Sequence, residues 1–292
     1  MSSSIPPPFS AGVLRCGPAG WEHRDWDTCV YPRPRPASFH PLTFLARYFD
    51  LSEIQSTARR PIRPEIARLW MAKVSANPLF HFTAAVPRRF TQDREIEPGE
   101  VARFQDGLMP LFEAGRLGCA VMQFPWAFRF TRENREFVIR LRRALHAFPL
   151  AAQMRHESWL ADEAVGVFLD YHIGFVNSDR PATARAMPPT ALLTTAVGYV
   201  RLEGRAWDSS RKAPRRDYLY RVAELEEWSA RIGRIGPLSS ATYVVLANAP
   251  GGRSVVNGLQ MRGILGQAPR IPIAPGTPAP EGVSLQSQMF AA

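Results

Sequence analysis

The sequence predicts a TIM-type (β/α)8 barrel folded as a single domain. Eight short apolar runs alternate with about eight stretches of helical periodicity, which is the order of elements in that fold. The main alternative is a doubly wound open sheet, and it is disfavoured because no Gly-x-Gly-x-x-Gly follows the first strand. With 292 residues, of which 46% are hydrophobic, the chain is long enough to bury one core of barrel size.

The predicted strands are short apolar runs that end at glycine, proline or polar residues. The run Val13-Leu-Arg-Cys-Gly17 is typical, because Gly-Pro-Ala-Gly closes it. The eight predicted strands span residues 13–17, 51–56, 79–86, 119–124, 150–155, 173–177, 198–202 and 241–246.

The predicted helices place apolar residues three and four positions apart. Pro64 stands at a plausible first helical position, where the missing amide hydrogen costs nothing. Residues 180–195 show little periodicity, so the connection between strands six and seven is expected to be the least regular. The other predicted helices span residues 38–49, 64–74, 100–115, 132–147, 162–171, 218–232 and 255–265.

Both ends of the chain are poor in residues that form a core. Residues 1–11 are rich in serine and proline and residues 267–292 are rich in proline, so we expect disordered tails around a barrel at residues 12–266. No long apolar run and no charged leader occur, and three cysteines without a Cys-x-x-Cys pair argue against a disulfide scaffold. These features predict a reduced cytoplasmic protein without a membrane segment.

The chain carries a net charge of +10, and arginine supplies nearly all of the positive charge because only Lys73 and Lys212 are lysines. A basic surface attracts polyanions, although charge does not define a reaction. One loop is especially basic and predicts weak, salt-sensitive binding of nucleic acid without sequence preference. A solvated basic loop is the alternative interpretation. Its cations are Arg205, Arg211, Lys212, Arg215 and Arg216.

The ends of the predicted strands converge at one mouth of a barrel, where loops carry ligand chemistry. A packed barrel has no structural need for many polar groups at one end, so the sequence predicts a pocket for a polar ligand. The polar residues at the strand exits are Cys16, Glu53, Gln55, Thr83, Gln123, Gln153, Arg155, His156, Asn177, Asp179, Arg201, Glu203 and Asn248.

Two arginines dominate the predicted ligand site. Arg155 and Arg201 follow strands five and seven and present planar forks that suit a phosphate or carboxylate. Each is alternatively the internal ion-pair partner of a mouth carboxylate. Strand alternation directs Gln153 and Arg155 into the lumen. The remaining predicted ligand-binding residues are Gln55, Gln123, Gln153, Asn248 and Trp21.

The candidate catalytic groups are one histidine and three carboxylates. His156 is the histidine at a strand exit beside other polar groups, which makes it the candidate acid or base. With Glu53, Asp179 or Glu203 it would suit a metal-assisted hydrolase of phosphodiester-type bonds. The scattered spacing gives a divalent metal no support, and no cofactor is predicted. The competing hypothesis is a binding protein for a small anionic ligand.

These landmarks together resemble the YecE-like proteins, which carry domain of unknown function 72. The resemblance runs from about residue 13 to residue 265. Its most specific parts are Gln123-Phe124-Pro125 and Arg155-His156-x-Ser158-Trp159, and Gly17-Pro-Ala-Gly-Trp21 matches the family's first strand. The resemblance implies a TIM-barrel-like fold with a polar pocket at the strand carboxyl ends, and a relation to barrel phosphodiesterases that suggests nucleic acid.

The sequence departs from the family pattern at several pocket positions. The positions where the family carries a lysine, a glutamate and a histidine hold Ala85, Gln153 and Glu203, and Gln92 and Ala247 replace a histidine and an asparagine. A neutral amide cannot replace a carboxylate as a general base. The departures therefore predict a shifted ligand or impaired catalysis in this chain.

Overall fold

A computed structural model describes residues 12–210, 213–215 and 217–267, and these residues form a parallel eight-stranded barrel. Of the tails predicted at 1–11 and 267–292, all but Gln267 lie outside the described residues, and the Gln267 side-chain amide donates to the Leu14 carbonyl oxygen. The barrel strands are β1 (Val13–Pro18), β2 (Leu51–Ile54), β3 (His81–Ala85), β4 (Leu117–Gln123), β5 (Leu150–Gln153), β6 (Ile173–Asp179), β7 (Val197–Leu202) and β8 (Ala241–Leu246).

The strands follow one another around the barrel in the order β1-β8-β7-β6-β5-β4-β3-β2, and every pairing is parallel. The circle closes between β1 and β2, where the Gly20 amide donates to the Glu53 carbonyl oxygen over 2.9 Å. Gly17 allows this approach, because a Cβ there would lie 1.8 Å from the Leu51 carbonyl oxygen. The predicted TIM-type fold is confirmed.

The helices cover the outside of the barrel. They are α1 (Trp26–Cys29), α2 (Pro41–Leu45), α3 (Pro64–Lys73), α4 (Arg88–Thr91), α5 (Pro98–Glu113), α6 (Arg132–Ala144), α7 (Asp162–Asp170), α8 (Val222–Ile235) and α9 (Arg253–Ile264). Short 3-10 turns occur at Ser56–Ala58, Glu157–Leu160, Gly236–Leu238 and Pro250–Gly252, and a small antiparallel hairpin pairs Trp207–Asp208 with Ala213–Pro214. Within the described residues, no helix is both long and apolar enough to cross a membrane.

The connection between β6 and β7 contains no helix anywhere in residues 180–196, which are all described. The segment is held from both sides instead. The Met187 amide donates to the Arg155 carbonyl oxygen over 3.0 Å, and Asn177 hydrogen-bonds Thr190 and both backbone groups of Leu192. The expectation of an irregular sixth connection is confirmed.

Two predicted helices depart most from the bounds in the structure. The helix predicted at 38–49 is reduced to α2, which begins where the His40 ring caps the Leu42 amide. The helix predicted from Tyr218 begins at Val222, because Glu224 accepts a hydrogen bond from the Arg221 amide over 2.8 Å and caps the first turn. Tyr220 belongs to the preceding loop, where its hydroxyl accepts from the Gly204 amide.

Apolar side chains fill two separate layers. One layer lies between the strands and the helices, and Trp26, Trp159 and Trp228 are fully buried there. The other layer fills the lumen and contains Tyr199, Tyr243 and small residues. The alternation of side chains along each strand therefore decides which polar groups at the mouth face the lumen.

Candidate functional site

A cavity of about 560 Å³ opens at the mouth of the barrel beside the ends of β1 and β2. Three residues of the predicted ligand site line it, namely Trp21, Gln55 and Arg201. The Trp21 ring packs edge-on against Trp70, with 4.9 Å between the ring centroids. The structure thus brings part of the predicted site together around one open space.

Three further arginines form one wall of this cavity. Arg59 and Arg60 follow β2, Arg88 follows β3, and all three are exposed. We call them the basic wall. Within the part of the chain that the structure describes, none of the three forms an ion pair, and Glu22 is the acidic residue among those lining the cavity. The basic wall therefore gives the cavity an unbalanced positive charge.

Arg201 lies at the inner side of the cavity but is fully engaged by carboxylates. It is 1% exposed, its Nη2 lies 3.1 Å from Glu53 Oε1, and its Nη1 pairs with Glu203. Glu203 also pairs with Arg180, and Tyr199 donates to Glu53 over 2.6 Å. Two arginines and two glutamates thus balance within the barrel. For Arg201 the geometry favours the ion-pair alternative over an anion clamp.

Asp179 and Asn248 do not face the cavity. Asp179 is directed toward the helices, where it accepts hydrogen bonds from Trp228 over 2.6 Å and from Arg205 over 2.8 Å. Burial raises the pKa of the Asp179 carboxyl. The Asn248 amide donates to the Tyr218 carbonyl oxygen and to Asn257. Both side chains therefore hold loops against helices α8 and α9.

His156 lies apart from the three candidate carboxylates. Its Nδ1 is 2.9 Å from Ser158 Oγ and accepts from the Ser158 amide, and its ring packs against Trp126 at 5.4 Å. Burial and the neighbouring Arg129 lower the pKa of His156. A ring with these contacts acts as the cap of a 3-10 turn, and none of Glu53, Asp179 or Glu203 touches it.

The two mouth glutamines and Arg155 lie on the side formed by β4 and β5. Gln123 and Gln153 stand opposite each other in the strand register, and Gln153 is fully buried. Val121 and Ala151, two residues earlier on each strand, face the lumen, so both glutamines face it as well. Arg155 is half-buried beyond the end of β5 and is not among the residues that line the cavity.

Two other residues at the strand exits serve the fold. Cys16 faces the helices and contacts the Gly258 carbonyl oxygen, and burial raises its thiol pKa to about 12. Thr83 lies in the lumen within 3.0 Å of the Tyr199 hydroxyl. Neither side chain lines the mouth cavity.

The arrangement limits the chemistry of the mouth. Each of the three candidate carboxylates is held by an arginine, so none is placed as a free general base beside a histidine. Among the described residues, no group of three or more His, Cys, Asp or Glu side chains is arranged to hold a metal ion. Within the part of the chain that the structure describes, the side chains of the mouth therefore form no donor set for the metal centre that a metal-assisted hydrolase needs.

Sequence reasoning missed the basic wall and His23, which also lines the cavity. The available signal was position: Arg59 and Arg60 lie five and six residues beyond the end of β2, and Arg88 lies three beyond β3. Loops at these strand ends surround a barrel mouth, so basic residues a few positions beyond the strands are candidates for the ligand site in the same way as residues at the strand ends.

Comparisons with known proteins identify the family of this chain. The family model described as protein of unknown function DUF72 matches residues 15–282. The UPF0759 protein YunF of Bacillus subtilis (strain 168) is 26% identical over 288 residues, which cover 88% of this chain and 98% of that protein.

Solved structures show the same architecture. A DUF72 family protein of Thermotoga maritima MSB8 superposes with a TM-score of 0.73 at 26% identity, over 87% of this chain and all of that one. A DUF72 family protein of Enterococcus faecalis V583 gives a TM-score of 0.76 at 21% identity, over 88% of this chain and 96% of that one, which supports the fold. The match of the family model to most of the chain shows that this protein belongs to the DUF72 family.

Proposed function

We propose that the protein binds a compact anion, bearing phosphate or carboxylate, in the mouth cavity. The observation that carries this proposal is the basic wall, whose three arginines line one cavity without ion-pair partners among the described residues. Guanidinium groups present paired donors that match the oxygens of phosphate and carboxylate. The anchor thus moves from Arg155 and Arg201, the arginines predicted from the sequence, to Arg59, Arg60 and Arg88.

Another residue that lines the cavity adds a neutral donor. Trp21 is 4% exposed and lines the cavity, and no hydrogen bond within the described residues engages its Nε1. A buried indole N–H without an acceptor costs free energy, and an anion oxygen would relieve that cost. Trp21 was predicted as a ligand-binding residue, and the proposal gives it the role of a hydrogen-bond donor.

Ligand binding accounts for the contacts of the mouth residues better than catalysis does. The candidate carboxylates neutralise arginines, and His156 caps a turn at a distance from them. Such groups preserve the shape of the mouth and leave its charge to the basic wall. The metal-assisted hydrolase has no observation in its favour, so anion binding with impaired or altered catalysis is the function that we propose.

The test is isothermal titration calorimetry of the full-length protein with inorganic phosphate and with succinate at low ionic strength. Replacement of one wall arginine, as in Arg88→Gln, is expected to weaken binding of the preferred anion about tenfold, because each charged hydrogen bond contributes on the order of 1.5 kcal/mol. The double variant Arg59→Gln with Arg60→Gln is expected to weaken it further.

The matched control is Arg135→Gln, which removes the same charge from an exposed position on α6 away from the cavity. This control is expected to leave the affinity within twofold. Equal losses in Arg88→Gln and Arg135→Gln would show that net charge, and not the cavity, attracts the anion. Absence of heat with both anions would overturn the proposal.

A further inference from the structure

Two neighbouring strands direct neutral polar side chains into the lumen beside the mouth cavity. Gln153 ends β5, and Ser178 lies near the end of β6. Ala151 and Val176, two residues earlier, belong to the lumen layer, so alternation turns Gln153 and Ser178 inward as well. Their exposed fractions are 0% and 1%.

Both side chains lack hydrogen bonds within the described residues. No partner engages Gln153 Oε1, Gln153 Nε2 or Ser178 Oγ. Asn177, which is adjacent but faces outward, makes four hydrogen bonds to Thr190, Leu192 and Tyr199. Buried polar groups are nearly always hydrogen-bonded, and each unsatisfied group costs free energy. Three such atoms on adjacent strands therefore point to a bound group that supplies their partners.

The part of the lumen next to the cavity is lined by small side chains. Ala19 and Ala247 present small side chains to the lumen near the mouth, and both also line the cavity. Arg201 lines the same cavity and stands opposite Ser178 in the β6–β7 register. Only two strand spacings, roughly 10 Å, separate β5 from β3, the strand that leads to Arg88 of the basic wall. A ligand a few atoms longer than phosphate would span this distance.

We propose that Gln153 and Ser178 form a neutral subsite that binds the hydroxyl groups of a phosphorylated sugar or polyol. The inference rests on the proposed function, because the phosphate of that ligand is held by the basic wall. Gln153 and Ser178 then bind the uncharged part of the ligand.

The chemistry of the side chains defines this ligand class. The glutamine amide offers a donor at Nε2 and an acceptor at Oε1, and the serine hydroxyl is both donor and acceptor. A ligand carbonyl satisfies the donors and leaves Oε1 without a partner, and an ammonium satisfies the acceptors and leaves Nε2 without one. Adjacent hydroxyl groups satisfy both, because each hydroxyl donates and accepts. A diol beside a phosphate therefore matches the set.

The experiment compares two probes by titration calorimetry on the full-length protein, inorganic phosphate and ribose 5-phosphate. We expect ribose 5-phosphate to bind about tenfold more tightly, which corresponds to one or two additional hydrogen bonds. Gln153→Met keeps the length of the side chain and removes the amide. It is expected to abolish this tenfold gain and to leave the affinity for phosphate unchanged.

Two variants complete the design. Ser178→Ala removes the second side chain that would bind the ligand hydroxyls, and alanine is small enough to preserve the strand. This variant is expected to reduce the tenfold gain in affinity for ribose 5-phosphate severalfold. Gln105→Met is the matched control, because it makes the same replacement on α5, where the amide contacts the Ala144 carbonyl oxygen away from the mouth. The control is expected to retain the full gain.

The outcomes separate the two proposals. If phosphate binds and ribose 5-phosphate binds no more tightly, the neutral subsite is wrong and a buried water molecule satisfies Gln153, while anion binding stands. If the gain survives Gln153→Met and Ser178→Ala, the sugar is held elsewhere and the subsite is again wrong. If neither probe binds, the subsite fails together with phosphate binding, and anion binding as a whole fails if succinate does not bind either.

Discussion

The two ends of the barrel differ in how far their buried polar groups are hydrogen-bonded. At the end where the strands begin, Asp50 pairs with Arg262 over 3.0 Å, and Asn77 donates to Asp50 and to the carbonyl oxygens of Ala46 and Phe49. At the mouth, Gln153 and Trp21 Nε1 lack hydrogen bonds among the described residues. The cluster around Asp50 is completed by the chain itself, and the mouth has donors and acceptors left for a ligand.

This difference follows the division of labour in (β/α)8 barrels, where one face carries stability and the other carries function. The mouth also contains saturated groups, because Glu53, Arg201 and Glu203 neutralise one another. Polarity at a barrel mouth is therefore not itself the mark of a site. The mark is polarity that the fold leaves without a partner.

The largest expected effect is on stability, at the end where the strands begin. Arg262→Met removes one partner of a pair in which both side chains are almost fully buried, and takes away the cation that lies 3.0 Å from the Asp50 carboxylate. The expected loss in the free energy of unfolding is about 3–5 kcal/mol, the usual scale for such a change. Chemical denaturation measures this loss. The affinity of the folded protein for phosphate should not change.

The opposite result would remove the contrast between the two ends. If Arg262→Met unfolds at the same denaturant concentration as the parent, the pair is not structural. A suitable control is Arg132→Met, since Arg132 makes an exposed ion pair with Glu136 on α6, and that variant is expected to change stability by less than about 1 kcal/mol.

A smaller effect is expected from acid at the same end. His81 lies 3.1 Å from the Tyr243 hydroxyl, and burial, with Arg15 and Arg116 nearby, lowers the pKa of His81 from 6.5 to about 4. The unfolded chain binds the proton more readily than the folded protein does. The stability that neutral His81 contributes is therefore fully present above pH 6.5 and is lost as the pH falls through 4. Because part of the ring is exposed to solvent, the expected loss in the free energy of unfolding is only about 1–2 kcal/mol.

The measurement is the difference between parent and His81→Gln in unfolding free energy at pH 7 and pH 4.5. Since His81→Gln does not titrate, its stability should fall less between these two values than that of the parent. Parallel losses in both proteins would assign the acid sensitivity to other groups.

The next effect is close to zero and concerns the mouth. Gln153→Met removes two polar atoms that have no hydrogen-bond partner in the described structure, so it is expected to leave stability within about 1 kcal/mol or to raise it. Thermal unfolding without ligand is the measurement. A loss comparable to that of Arg262→Met would show that Gln153 has a structural partner.

Much of the fold was predictable from the sequence because local pattern and tertiary packing agree. The strand predicted at 241–246 has those bounds in the structure, and Pro64 is the first residue of α3. The helix predicted at 38–49 was too long because Phe49, which continues the apolar spacing, is buried for another reason. Its ring packs against Gly258 of α9, where a Cβ would lie 2.8 Å from it.

The candidate site was less predictable because pairing depends on distant parts of the chain. Arg201 and Glu53 are 148 residues apart, and the sequence places both at strand exits without showing that they meet. The same limit applies to Asp179, whose contacts with Arg205 and Trp228 depend on the position of α8. Which arginines remain available to a ligand is therefore a property of the folded structure.

The smallest expected effect concerns polyanions and the loop at residues 205–216. Of its five basic residues, Arg211, Lys212 and Arg216 lie outside the described residues. Arg205 pairs with Asp179, Glu224 and Glu227, and Arg215 pairs with Asp217. Two of the five charges are thus balanced by neighbouring carboxylates, which reduces the number of phosphates that the loop can neutralise.

We expect single-stranded DNA to bind weakly at about 50 mM salt and not detectably near 200 mM, because affinity falls with salt in proportion to the phosphates neutralised. Fluorescence anisotropy of a labelled oligonucleotide over a salt series measures this dependence. Arg205→Gln should change it little, since that charge is already paired. Binding that persists at 200 mM salt would establish a nucleic-acid surface. Its absence at 50 mM salt would leave the excess positive charge of the mouth to small anions.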